Sequence, residues 1–294
     1  DPHNDTHFAD YEKLKYWLPV DWYNGGMEHV TRHVIYSRFW HRFLYDIGEV
    51  PVPEPYKKRT AQGLILGPDG DKMSKSKGNV VIPMDIVEQY GADTLRVYIL
   101  FIGDYEQATP WSDAGVRGAR RFLDKVWRLK ELVDQKEDSA AFTRLLHQTI
   151  QEVDHDCEHV KFNTAIAKLM TLTNAAYKEE RVSQTAYETL LKLLHPFAPH
   201  MSEELFASFG HQTLLLKTAY PKADQSKMKA STYTIVISVN GKVRAKLEVD
   251  ANTEEKTLKS MALNHEKITP YLEGKTLVKT IVVPKKLINL VVRD

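Results

Sequence analysis

The stretch Gly67-Pro68-Asp69-Gly70-Asp71-Lys72-Met73-Ser74-Lys75-Ser76-Lys77-Gly78-Asn79 sets three lysines and two serines on a short segment between two glycine-bearing turns. Proline presets one turn dihedral, Gly70 supplies positive φ at little cost, and Gly78-Asn79 is a second flexible point, so the segment reads as a hinged loop. Ammonium groups act as point charges on phosphate oxygens. Serine hydroxyls and exposed backbone N–H groups add hydrogen bonds as negative charge moves during phosphoryl or nucleotidyl transfer. A nucleotide is the ligand class that fits. By composition alone a Lys/Ser-rich loop is more often solvated surface or a targeting patch, so residue order has to decide. Neither a Walker pattern nor G-x-G-x-x-G occurs in the sequence, and those phosphate loops do not compete.

Working outward, residues up to about 107 read as mixed α/β. Tyr16 to Tyr23, aromatic and β-branched, suits a buried strand that stops at Gly25-Gly26. A helix is expected next, with Val30, Val34, Ile35 and Phe39 on its buried face and Arg32, Arg38 and Arg42 opposite. Gln62 to Leu66 reads as a short strand feeding the lysine loop, and Met84–Tyr90 and Ala92–Phe101 as two helices split by Gly91. Open α/β sheets hold nucleotides at such strand-to-helix ends. Gly25-Gly26-Met27-Glu28-His29-Val30-Thr31-Arg32-His33 is the second candidate site: glycines admit a ligand to the backbone, and His29 and His33 at i, i+4 are expected to project together. Glu28 precedes His29 instead of lying between two histidines as in H-E-x-x-H, and no third ligand is in register, so no bound metal is expected. A polar wall for a ribose or an α-amino acid is the other reading.

From about 108 to 228 the pattern is helical. Val116 to Leu129, Ile150 to Val160 and Ala165 to Ala176 each form an apolar stripe, and Pro196 and Pro199 precede a last helix, Ser202 to Phe209, with Ser202 at its N-terminus. A bundle follows, whose charged faces read mainly as solvated surface. From 229 the period becomes two. Tyr233 to Val239 and Val243 to Val249 alternate around the hairpin turn Asn240-Gly241, which places Lys242, Arg244 and Lys246 on one exposed face. A helix from Thr253 to His265, capped by Asn252 with Glu255 three residues on, leads to strands at 277–283 and 287–292. The expectation is a small β-β-α-β-β domain.

The chain has 294 residues, 43% hydrophobic and 27% charged, enough for two or three globular domains. Residues 229–294 hold 12 Lys/Arg against 7 Asp/Glu and the remainder 28 against 32, so a basic end is joined to a mildly acidic body. That balance suits a polyanion-binding appendage and equally a merely soluble one. A single cysteine, Cys157, excludes an intrachain disulfide framework. No apolar run approaches bilayer length and the N-terminus lacks signal-peptide features, so a cytoplasmic setting away from membranes is expected.

Asp71 to Asn79 resembles the KMSKS signature of class I aminoacyl-tRNA synthetases, whose loop closes over ATP during amino-acid activation. The resemblance becomes closer at Tyr16 to Trp40, which looks like the Gly-Gly-x-Glu-His region of bacterial leucyl-tRNA synthetases. It continues through Gly63–Leu66, Gly91–Arg96, Phe162–Ile166, Pro196–His200, Val239–Lys246 and Asn289–Val292, and so covers essentially the whole chain. It implies three parts: the C-terminal half of a Rossmann-type catalytic domain (1–107), a helical anticodon-binding domain (108–228) and a small basic tRNA-binding domain (229–294). It implies that Lys72 and Lys75 stabilise the ATP phosphates and the activation transition state. Met73, Ser74 and Ser76 would complete the ATP loop, and Leu64 and Ile65 would meet adenine through backbone groups. Gly25, Gly26, Glu28 and His29 would border the adenylate, His29 and His33 the leucine pocket, and Lys242, Arg244 and Lys246 the tRNA. ATP with Mg2+ as its substrate complex, leucine and tRNA(Leu) are the implied ligands, without a metal bound by this chain itself. The H-x-G-H tetrapeptide of the family does not occur here and the chain begins at Asp1 without methionine. The expectation is a chain cut from something longer, catalytically weak alone, that needs an N-terminal half to complete its site. A non-catalytic tRNA-binding subunit is the alternative.

Overall fold

The computed structural model describes residues 1–228, 232–250, 253–284 and 286–293. They form two compact units, Asp1–Ala223 and Asp224–Asp294. The division expected near residue 107 falls within the first of these.

The first unit opens with α1 (Tyr11–Trp17), β1 (Tyr23–Asn24), α2 (Ile35–Asp46), β2 (Arg59–Thr60) and β3 (Ile65–Leu66). It continues with α3 (Pro83–Tyr90), α4 (Ala92–Phe101), β4 (Thr109–Pro110), α5 (Asp113–Leu129) and β5 (Val133–Asp134). Then come α6 (Ala140–Glu158), α7 (Phe162–Lys178), β6 (Val182–Ser183), α8 (Gln184–Leu194) and α9 (Pro199–Ala207). Its strands are two-residue parallel pairs, β1 with β2, β3 with β4 and β5 with β6.

The strand expected over Tyr16 to Tyr23 is not formed. Asp10 caps α1 by accepting from the Lys13 N–H at 2.9 Å, the helix runs through Tyr16 and Trp17, Val20 makes one isolated parallel bridge to Tyr56, and the strand that forms is Tyr23–Asn24. Tyr16 is 79% exposed and Trp17 71%, so the aromatic run that suggested a buried strand is surface. Half of the stripe expected on this helix is turned out: Ile35 is 53% exposed and Phe39 78%, Val30 and Val34 are half-buried in the turn before α2, and the buried side chains of α2 are His41 and Leu44. Arg38 reaches Glu54 with two 2.8 Å hydrogen bonds, which ties the helix to the proline-rich segment after it.

The helical part keeps most of its expected faces, but Trp127, expected on the apolar stripe of α5, is 47% exposed, and Val160, expected on the next stripe, lies beyond the end of α6 at φ 60°. Ser112 caps α5 by accepting from Gly115 N–H, and Val116, Ala119, Phe122, Leu123, Val126 and Leu129 are buried at helical spacing. One core runs from Val97 through α5 to α9 and ends at Leu215. α8, capped by Ser183, had no counterpart in the sequence reading, although Tyr187, Leu190, Leu191 and Leu194 have the same periodicity. Ser202 is not the N-terminus of the last helix: Pro199 begins it and Ser202 is fully buried inside. The cap comes from α4. Asp93 accepts from Met201 N–H at 2.7 Å and lies 2.8 Å from His200 Nδ1, placing a carboxylate where the helix dipole favours it. Arg96, one turn on, donates to the carbonyls of Pro196 and Phe197.

The second unit comprises α10 (Gln225–Met228), β7 (Thr232–Val239), β8 (Lys242–Asp250), α11 (Glu255–Leu263), α12 (Thr269–Leu272), β9 (Thr276–Val283) and β10 (Leu287–Arg293). The sheet order is β8-β7-β10-β9, with β7 and β10 parallel at the centre. Ile235, Ile237, Ile288 and Leu290 on one face bury Leu258, Ala262 and Ile268 against them. Asn240 and Gly241 both have positive φ, 48° and 78°, the geometry that a two-residue hairpin demands. Glu254 stands at the N-cap of α11, and the expected cap Asn252 lies outside the described residues.

Candidate functional site: the lysine loop and the Gly25–His33 element

The lysine loop is stapled at its base. Asn79 Nδ2 donates to both carboxylate oxygens of Asp69 at 3.0 Å, and Asn79 Oδ1 accepts from Ser74 N–H at 2.9 Å. Asn79, followed by the Asp71 N–H, holds the Asp69 carboxyl below its ordinary range. A Cβ at Gly67 would lie 2.6 Å from Asp69 Oδ1 and 2.7 Å from Asn79 Nδ2, so it would press on this staple. Gly78, at φ 68°, ends the 3-10 turn Lys75–Lys77. Ser74 and Ser76 hydroxyls are 2.8 Å apart, and Met73 packs its side chain on the main core. The hinge expected from glycine content is therefore a turn with a fixed base and an anchored centre.

The three lysines are not equivalent. Lys77 donates to Asp71 Oδ2 at 2.8 Å, whereas Lys72 and Lys75 are exposed and have no ion pair among the described residues. Two cations are thus left free, and the third helps to hold the loop.

Before this loop, Gly63 N–H donates to the Tyr105 carbonyl at 2.8 Å, and a Cβ at Gly63 would strike the Gln107 backbone. That close approach starts the β3–β4 pairing. Leu64 and Ile65 share a cavity of about 430 Å³ with Asn24, Tyr105 and Thr109. Asn24 immediately precedes the glycine pair, so the expected adenine strand and the start of the Gly25–His33 element meet at one cavity. Lys72 and Lys75 do not line it.

The glycine element departs from the uniform helix expected of it. Met27–His29 is a 3-10 turn and Val30–Val34 a π turn before α2 begins, so the i, i+4 register assumed for His29 and His33 does not hold. His33 Nδ1 lies 2.7 Å from the Tyr23 hydroxyl, with the two rings stacked 5.5 Å apart, and His29 is exposed. The Glu28 carboxylate folds back over Gly26, where any Cβ would collide with it. Arg59 was not anticipated. Its Nη2 donates to the Gly26 carbonyl at 3.3 Å, and its Nε is buried without a partner. A cation on a two-residue strand carries no sequence signal for this placement. Among the described residues no group of three His, Cys, Asp or Glu is positioned to hold a metal ion.

In the second unit, Lys242, Arg244 and Lys246 do not share a face. A bulge pairs Ser238 with Val243 and Ile237 with Ala245, leaving Arg244 as the extra residue. Val243 is consequently 62% exposed, and Arg244 lies 4.3 Å over the Tyr271 ring. The hairpin itself is fixed: Asn289 Oδ1 accepts from Gly241 N–H at 3.0 Å, and Asn240 exchanges hydrogen bonds with the Val292 backbone.

Residues 4–112 match the family of class I tRNA synthetases (I, L, M and V), and residues 140–259 match the anticodon-binding domain of tRNA ligase. Over all 294 residues the chain is 48% identical to the leucine–tRNA ligase of Alkaliphilus oremlandii strain OhILAs. The chain is similar over its whole length to part of a leucyl-tRNA synthetase. It spans 37% of that relative's length. The Agrobacterium radiobacter K84 LeuRS, solved as a ternary complex with tRNA and LeuAMS, superposes with a TM-score of 0.75 at 32% identity, over 97% of this chain and 40% of that one. Mycobacterium tuberculosis methionyl-tRNA synthetase bound by methionyl-adenylate superposes with a TM-score of 0.56 at 17% identity, over 75% of this chain and 49% of that one, a likeness of fold. The similarity to a synthetase accounts for both the lysine loop and the bundle behind it. No helix among the described residues is long and apolar enough to cross a membrane.

Proposed function

We propose that this chain contributes the KMSKS side of a leucine-activating site, together with modules that hold tRNA(Leu). In the reaction a leucine carboxylate oxygen attacks the α-phosphorus of ATP, the bond to the β-phosphate bridge breaks, and pyrophosphate leaves with its magnesium. The leucyl group then passes from the adenylate to a terminal tRNA hydroxyl, releasing AMP. Negative charge builds on the departing pyrophosphate, and fixed cations aimed at that charge lower the barrier more than they strengthen ground-state binding. Lys72 and Lys75 fill that role because they alone in the loop are exposed and unpaired, while Met73, Asn79 and Lys77 hold the backbone beneath them. This contrast between free and tied lysines carries the reading. Leu64 and Ile65 bind adenine at the Asn24 cavity. Gly25, Gly26, Glu28 and His29 border the adenylate, Arg59 supplies the remaining buried donor, and His29 and His33 face the leucine side.

The exposed aromatics of α1 and α2, Tyr16, Trp17, Phe39 and Trp40, fit an apolar partner surface, and we assign them to an N-terminal synthetase half. The parts are 1–107 for catalysis, 108–228 for the helical tRNA-binding bundle and 229–294 for a basic tRNA-binding part, to which Lys242, Arg244 and Lys246 contribute from more than one face. The test is leucine-dependent ATP–pyrophosphate exchange by this chain, with and without a polypeptide bearing the H-x-G-H half. Exchange in the mixture alone is expected. Absence of exchange in both, alongside salt-sensitive tRNA binding, would leave a tRNA-binding subunit instead.

A further inference from the structure

A cavity of about 440 Å³ lies where α3, α4, α5 and α9 meet, and the activation chemistry gives it no task. Ala92, Leu123, Trp127 and Met201 make its apolar wall. Trp127 is 47% exposed on a helix whose other large apolar side chains are buried, so its indole faces an open space instead of a packed neighbour. The rim is polar. Arg120 donates through Nε to Asp124 Oδ1 at 2.9 Å and through Nη1 to the Tyr90 carbonyl at 3.0 Å, which leaves Nη2 and the second Asp124 oxygen for edge-on hydrogen bonds. A flat ring with donors and acceptors along one edge matches a wall of this kind.

The charge around the cavity selects the class of molecule that carries the ring. Arg117, Arg121 and Arg128 recur at four and seven residues on the solvent side of α5, with Arg120 and Lys125 beside them. Arg117 and Arg121 are exposed and have neither an ion pair nor a hydrogen bond among the described residues. Two free guanidinium groups, with Arg128 tied to the Asp124 carbonyl beside them, flank an exposed tryptophan and suit a polyanion whose rings can stack.

We infer that this cavity is a subsite for one unstacked base of a bound RNA, seated against Trp127, with the α5 arginines on the adjoining phosphates. The inference rests on the reading of the chain as a tRNA-handling protein and adds a contact distinct from the lysine loop. Trp127 supplies the stacking face and Arg120 with Asp124 the base edge.

The test measures binding of a tRNA(Leu) transcript to the full chain across a salt series. Trp127→Leu is expected to weaken binding about tenfold with an unchanged salt slope, because stacking on an aromatic ring is lost and no charge is removed. Arg117→Gln with Arg121→Gln is expected to weaken binding and reduce the magnitude of the log–log salt slope by about 1.5, the loss of two phosphate contacts. Ultraviolet cross-linking of the unmodified chain to the transcript should attach a nucleotide to the peptide containing Trp127. An unchanged Kd for Trp127→Leu, or cross-links that bypass that peptide, overturns the subsite. Exchange activity with a silent Trp127→Leu retains the leucine reading and removes the subsite. Absent exchange with a Trp127-dependent Kd does the reverse.

Discussion

Between residues 1 and 90 the buried aliphatic side chains are Leu44 and Val50, whereas from Val97 to Leu215 a single core joins α4 to α9. The first region carries the groups proposed to meet ATP and leucine, and its backbone is held by hydrogen-bonded turns and two-residue pairings. The second is held by interlocked leucines and aromatics, and most of its polar motifs serve as staples: Asp93 on Met201, Arg96 on Pro196, Asp156 on Thr164 and Lys168. Ligand groups have to remain free of protein partners, so the region that presents them is the one least able to stabilise itself.

The largest effect is expected where the core is densest. Leu169→Ala should cost about 2–5 kcal/mol, transfer free energy plus the cavity left behind, because Leu169 is fully buried in the bundle. Phe39→Ser on α2 should change stability by no more than about 0.5 kcal/mol. Urea unfolding of the two variants measures both. Similar losses would mean that the face of α2 is covered by something in solution, and the contrast between the regions would fail.

Gly63→Ala comes next, with an expected cost of about 1–3 kcal/mol from forced overpacking. The added Cβ meets the Gln107 carbonyl and the Ala108 nitrogen, both backbone, so relief requires β3 to part from β4. Thermal melting reads the loss. A neutral Gly63→Ala would show that the approach to the loop is looser than the Gly63–Tyr105 hydrogen bond indicates.

The two regions also differ in how much of them sequence could reveal. Buried helices leave a 3.6-residue signature because one face must be apolar, and α5, α6 and α7 were therefore readable, as were β7 and β8 from their alternation. The same rule misread Tyr16 to Tyr23 and the face of α2. Their apolar pattern is real, but in this chain it is solvent-exposed, and periodicity cannot say what covers a face. The lysine loop was legible from residue order. The inequality of its lysines was not, since it depends on Asp71 folding towards Lys77. A single bulge residue likewise undid the common face of Lys242, Arg244 and Lys246, as a one-residue slip reverses alternation.

Asp134 sharpens the comparison through pH. Arg181 binds it with two hydrogen bonds, at 2.6 and 3.0 Å, and the Lys136 N–H adds a third, which pulls its pKa from the ordinary 3.8 down to about 2. A depressed folded-state pKa means that its contribution to stability is complete above the ordinary carboxylate range and disappears as pH falls from about 4 towards about 2. Carboxyl NMR titration should find the low value in the native chain and a return towards 3.8 in Arg181→Gln. An unchanged Asp134 in that variant would assign the shift to the backbone N–H instead.

The smallest expected change in stability separates the roles of two neighbouring lysines. Lys77→Gln removes an exposed ion pair with Asp71, worth at most about 1 kcal/mol. Lys75→Gln removes no ion pair and should leave the melting temperature where it was. In pyrophosphate exchange with the complementary half present, the order should reverse. Lys75→Gln is expected to reduce the rate by about 10²–10³, the scale of losing one preorganised charge on a transition state, and Lys77→Gln only a few-fold through loosening of the loop. Equal rate losses would mean that Lys77 leaves Asp71 when ATP arrives, and that the loop's resting ion pair holds a third catalytic cation in reserve.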